Sequence, residues 1–103
     1  MSIIDRINAP AAEKMTAGQK IRIDSFTAAE VEDTYANDGS TRPQMIIYSD
    51  GKAFYAPTPV ARKVVEAQAA GEDVKAELVG RTLEAVEYYS NRFRRMLLDG
   101  KIV

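Results

Sequence analysis

The chain has no cysteine, no histidine and no tryptophan. Without thiol or imidazole it cannot build a disulfide, a zinc site of the usual kind, a Ser–His triad or a thiol nucleophile. The missing cysteines also fit a reducing compartment. No apolar run approaches the length of a membrane span, and no Gly-rich phosphate loop of either common type is present. Asp5 and Arg6 stand where a secretory signal needs apolar residues, so the expectation is no export, no membrane association and a cytoplasmic protein. Excess charge of one sign is lacking too: Lys and Arg number 14, Asp and Glu 15. A net charge of -1 offers no bulk attraction to nucleic acid or membrane, so binding to a polyanion needs local clustering of the basic side chains. The carboxylates are scattered rather than paired. An enzyme is therefore not expected, nor a cofactor or metal; carboxylate-only or magnesium-assisted catalysis is the one enzymatic route left.

What is present is an ordinary globular composition, 46% hydrophobic over 103 residues, enough for one domain. Residues 1–16 mix Ile with Ala, Pro and Asn and read as a loosely ordered lead-in, with a short helix after Pro10; residues 17–103 form the domain. In "AGQKIRIDSF", Ile21 and Ile23 alternate with Lys20, Arg22 and Asp24, which is a half-buried strand. Residues 27–36 carry both a helical capping-box spacing, Thr27 to Glu30, and the alternation of a continuing strand, and both readings stay open. "NDGSTRP" (37–43) is dense in turn formers, and "QMIIYSDGKAFYA" is a hairpin around Asp50-Gly51. "PTPVARKVVEAQAAG" predicts a helix with Thr58 as N-cap, Pro59 in the first turn, an apolar stripe through Val60, Val64 and Ala67, and Gly71 after the last turn. "EDVKAELVGR" alternates as a strand would. For residues 82–99 two readings compete. Leu83, Val86, Tyr89, Phe93 and Leu97 fall at helical spacing, whereas a turn at Ser90-Asn91 would make two strands; element order favours the strands.

A two-residue turn sets the hairpin register: Tyr48 opposite Ala53, Ile47 opposite Phe54, Ile46 opposite Tyr55. One face then carries Met45, Ile47, Phe54 and Ala56, a core set. The other carries Ile46, Tyr48, Ala53 and Tyr55, with the two tyrosines as diagonal neighbours. If the strand holding Ile21 lies beside the hairpin, Lys20 and Arg22 flank those rings. Bases stack on aromatic faces and phosphates seek cations, so this is the chemistry of a single-strand surface, with Lys52 at the tip and Arg42 in the preceding loop extending it. The plainer alternative is that the tyrosines pack under a helix or a partner subunit. The most basic stretch is "YYSNRFRR", where Tyr88, Tyr89, Arg92 and Arg94 would add stacking and phosphate contacts from a hairpin loop. In a helix, Tyr89 and Phe93 would be core and the arginines a solvated face.

Strand, strand, strand, helix, strand, strand is the order of the OB-fold, a five-stranded Greek-key barrel with its helix between strands 3 and 4. The expected fold class is thus mainly β with one helix. The alternative is an α+β domain ending in an amphipathic helix. From "AGQKIRIDSF" through "PQMIIYSDGKAFYAPTPVARKVVEA" and "GEDVKAELVGR" to the Arg- and aromatic-containing end, the chain resembles the small single-stranded-DNA-binding proteins of bacteriophages and their bacterial relatives. The resemblance implies coating of exposed single strands in phage replication or recombination, inside a bacterial or phage-infected cell, by dimers or higher oligomers. Bacterial members often end in an acidic recruiting tail; "LDGKIV" is not one, so recruitment of that kind is not expected. Two stacking platforms contribute about 2–6 kcal/mol where micromolar binding needs about 8, so arginines or at least a second subunit must contribute. The rival expectation is a non-enzymatic protein-interaction or regulatory module with the Tyr face as its interface.

Overall fold

The computed structural model describes residues 11–33 and 36–103. Seven strands and two helices run in the order β1 (Ala12–Lys14), β2 (Lys20–Arg22), β3 (Ser25–Glu32), β4 (Thr41–Ser49), β5 (Lys52–Tyr55), α1 (Thr58–Ala69), α2 (Val74–Leu78), β6 (Thr82–Ser90) and β7 (Arg95–Ile102) among the described residues. They form two sheets, ordered β1-β5-β4-β3 and β2-β6-β7. The core lies between the sheets. Ile21, Ile23, Phe26, Met45, Ile47 and Phe54 meet Leu83 and Ala85 there, and α1 adds Ala61 and Val64. Among the described residues no helix is long and apolar enough to cross a membrane.

The Asp50-Gly51 hairpin forms in the expected register, Tyr48 opposite Ala53 and Ile46 opposite Tyr55. Both turn residues are left-handed, Asp50 at φ 50 and Gly51 at φ 76, which matches the twist of the strands they join. Ile21 and Ile23 are buried while Lys20, Arg22 and Asp24 are exposed. Residues 82–99 are two strands, β6 and β7, paired antiparallel from Ser90 opposite Arg95 to Leu83 opposite Ile102; the helical alternative does not form. The open choice at residues 27–36 falls to strand as far as Glu32, and Thr34 and Tyr35 lie outside the described residues.

Four expectations are corrected. Val74–Leu78 is a helical turn, not a strand, because Asp73 accepts the Ala76 N–H at 3.2 Å and Val74 and Leu78 are placed one turn apart toward the core. Their alternation satisfies both periods. Helix α1 starts one residue early: the Pro57 carbonyl accepts the N–H groups of Val60 and Ala61, so Thr58 is already helical and caps nothing. Strand β4 reaches back to Thr41 through Pro43. Met45 faces β5, since its carbonyl accepts the Ala56 N–H, so Pro43 by alternation turns its donorless nitrogen to the side where β5 has already ended. Finally, the second half of the lead-in is no helix but strand β1, paired parallel with β5; residues 1–10 lie outside the described residues.

The five-stranded barrel is met only at the coarser level of a small β-rich domain. The segment 20–32 pairs with β6 through its first part and with β4 through its second, joining the sheets along one side. Among the described residues the opposite side stays open. β1 occupies the edge of β5, and β7 is the end of its own sheet. Helix α1 closes one end by packing on β7 at Gly100, where a Cβ would lie 2.7 Å from Val60 Cγ2 and 3.0 Å from Leu83 Cδ1. Gly100→Val should therefore cost about 1–3 kcal/mol by overpacking. Urea unfolding measures this, and Val60→Ala in the same chain should recover part of the loss.

Candidate nucleic-acid interface

The open side between β5 and β7 is a groove of about 510 Å³. One wall is Lys14 of β1, Tyr55 of β5 and the entry to α1, where Pro57, Thr58 and Pro59 lead to Arg62. The other wall is the β6–β7 arm, with Tyr88, Phe93, Arg95, Leu97 and Leu98. Three aromatic rings and three cations thus line one cleft, and among the described residues no carboxylate lines it. None of Lys14, Arg62 and Arg95 is in an ion pair among the described residues, where the ion pairs are Lys20–Glu84, Lys101–Glu84 and Arg22–Asp24.

Local chemistry sets the arm's tip. Ser90 and Arg95 pair across a four-residue connection, and the Ser90 hydroxyl accepts the Phe93 N–H at 3.2 Å. Phe93 is 56% exposed, with the guanidinium carbons of Arg92 and Arg95 at 5.3 and 5.8 Å from its ring centroid. A phenyl ring held in water between two guanidiniums is a stacking surface with cations already beside it. Arg94 closes the turn at φ 52, a left-handed conformation that a long side chain adopts at a cost. Helix α1 adds to the field. It has no acidic residue in its first turn and no basic residue in its last; Arg62 and Lys63 lie nearer its positive end than Glu66.

The predicted site residues separate into three groups. Tyr55 and Tyr88 line the groove. Arg92 and Arg94 stand at the arm's tip, Tyr89 on the arm's reverse face opposite Met96, and Tyr48 on the helix-free face of its sheet, diagonal to Tyr55. Lys52 and Arg42 lie at opposite ends of the β4–β5 hairpin, Arg42 across from Val31. Lys20 and Arg22 do not flank the tyrosines. They belong to β2 in the other sheet, where Lys20 meets Glu84 at 3.8 Å and Arg22 meets Asp24 at 3.6 Å. Sequence reasoning missed Lys14, Arg62, Phe93 and Arg95 as site residues. For the last two a signal existed, an aromatic inside an arginine run; for Lys14 and Arg62 there was none.

The β3–β4 connection is of opposite character, with Glu30, Glu32 and Asp38 in or beside it. The Ser40 hydroxyl and N–H donate to Asp38 at 2.6 and 3.0 Å, and these bonds hold its carboxyl below the ordinary value. Among the described residues no cluster of three acidic side chains gathers as a metal site. Comparison with known proteins finds no matching family model, no matching curated protein and no matching solved structure.

Because Arg94 is strained, Arg94→Gly should leave unfolding stability unchanged or slightly higher while weakening any polyanion held at the tip. Urea unfolding and oligonucleotide titration of the same variant test the two halves separately.

Proposed function

We propose that the chain binds single-stranded nucleic acid, DNA in the first instance, without sequence preference, in the groove between β5 and β7. The observation that carries this is the union of Tyr55, Tyr88 and Phe93 with Lys14, Arg62 and Arg95 in a cleft that no carboxylate lines among the described residues. Rings accept any base face, and unpaired cations meet the phosphates between them. Supporting this reading, β2–β3, the β4–β5 hairpin, α1 and the β6–β7 hairpin follow one another in an order like that of an OB-fold, with β1 and the short α2 as additions. Tyr48 continues the surface beyond Tyr55, so a strand leaving the groove crosses a second ring on the helix-free face. Phage replication or recombination is the setting that the sequence resemblance suggests for such an activity.

Titration with oligo-dT, read by tyrosine fluorescence, tests it directly, since five Tyr and no Trp give an uncluttered signal. Quenching is expected, with a log–log salt slope of about −2 from three groove cations, steepening to about −3.5 where Arg92 and Arg94 also engage. Phe93→Ala should weaken binding by about 5- to 150-fold, the worth of one stacked base, with the fold intact because the residue is more than half exposed. Arg62→Gln should flatten the slope by about 0.7. A flat titration at low salt would sink the proposal.

A further inference from the structure

We infer that the free edge of β7 is a self-complementary interface through which two copies of this chain pair antiparallel about Leu97. The interface rests on the backbone of β7, independently of the nucleic-acid reading. In β7 the N–H of Val103 bonds the Thr82 carbonyl at 3.0 Å, so odd-numbered residues turn toward β6. Even-numbered residues turn outward, and the Gly100 N–H is satisfied there by the Asp99 carboxylate at 2.7 Å. The N–H and C=O groups of Met96 and Leu98 therefore face outward from a strand that is, among the described residues, the last in its sheet. Strands that leave such an edge bare tend to pair with another chain.

Only certain registers suit a second copy. Outward residues must face outward residues, and of the registers this allows the one that sets Arg95 against Asp99 places Met96 opposite Leu98 of the other copy and Leu98 opposite its Met96. The twofold axis then falls on Leu97, and Arg95 faces Asp99 of the other copy in both halves. These are non-hydrogen-bonded positions, whose Cα atoms approach to about 4.5 Å, closest for side-chain pairing. "RMLLD" is thus charge-complementary to its own reverse. Apolar residues meet apolar ones, and each arginine meets a carboxylate. A closed twofold dimer follows from an isologous contact of this kind. Since Arg95, Leu97 and Leu98 also line the groove, pairing and ligand would compete for the same edge.

Sedimentation velocity of the full chain over a wide concentration range should show a monomer–dimer equilibrium. Arg95→Asp and Asp99→Arg should each weaken it at least about tenfold, because two symmetry-related pairs become repulsive at once. The double variant restores opposite charges and should recover the dimer. Hydrogen exchange in the unaltered protein gives an independent readout: the Met96 and Leu98 amides should slow as concentration rises, while the Leu97 amide, already bonded to β6, should not. A wild-type chain monomeric throughout, a folded double variant that stays monomeric, or Met96 and Leu98 amides indifferent to concentration would each overturn the interface. Oligo-dT binding separates the two readings: a dimer with no quenching keeps the interface and removes the ligand, and quenching by a strict monomer does the reverse.

Discussion

Everything in this fold depends on one strand changing sheets. At Ile23 the backbone still belongs to the second sheet, its N–H on the Arg81 carbonyl and its carbonyl holding the Gly80 N–H, both at 2.8 Å. One residue later the Asp24 N–H bonds the Tyr48 carbonyl of the first sheet at 3.0 Å. Ile23, 1% exposed, fills the corner between them, and the Asp24 carboxylate reaches on to the Asp50 N–H at 2.8 Å, tying the corner to the hairpin turn. Because a single chain is shared, the sheets cannot separate along this side. All freedom to open is left to the opposite side, between β5 and β7.

That opposite side would close only if β5 and β7 exchanged backbone hydrogen bonds. The three residues of β1 prevent it by pairing parallel with Ala53, Phe54 and Tyr55. The same short strand brings Lys14 beside Tyr55 and drops Met15 into the core, 4% exposed. Blocking closure thus makes the cleft and supplies part of its charge. The near-zero net charge of the chain, -1, is no obstacle. Glu84 and Asp24 are matched to Lys20, Lys101 and Arg22, and Glu30, Glu32 and Asp38 gather at the β3–β4 connection, whereas among the described residues the groove cations are in no ion pair. A polyanion responds to charge within about 8 Å, the screening length at physiological salt, and not to the sum over the molecule.

What could be read from the residues alone follows from how local the causes are. The Asp50-Gly51 hairpin was legible to the pairing partner because two adjacent residues determine its twist. Ile21 and Ile23 were legible as core because alternation is a local pattern. Residues 82–99 were legible only through element order, since their apolar positions satisfy periods of 2 and 3.6 alike. Val74–Leu78 misled for the same reason, and there Asp73 as a cap was the deciding residue. Strand β1 carries no local signal at all. Three residues pairing in parallel with a strand some forty positions on are a purely tertiary event, and with them went Lys14 and the shape of the groove. Arg62 looks like any solvated helix residue until the arm is placed opposite it.

The arm itself shows why the unpaired state of β7 is informative. An edge strand is ordinarily protected by being short, bulged or strongly charged. Strand β7 has eight residues, pairs with β6 without interruption, and presents Met96, Leu97 and Leu98 in a row. Its protection lies at the flanks: Arg94 and Arg95 on one side, Asp99 on the other, with Asp99 occupying the one outward N–H next to it. Like charges at positions 95 and 99 would repel a second copy in the antiparallel register centred on Leu97. Opposite charges at the two ends repel parallel neighbours in register, which would bring Arg95 against Arg95, and admit the antiparallel one. The proposed interface would therefore be selective rather than blunt, and the arginine that would select a second copy is one that also lines the groove.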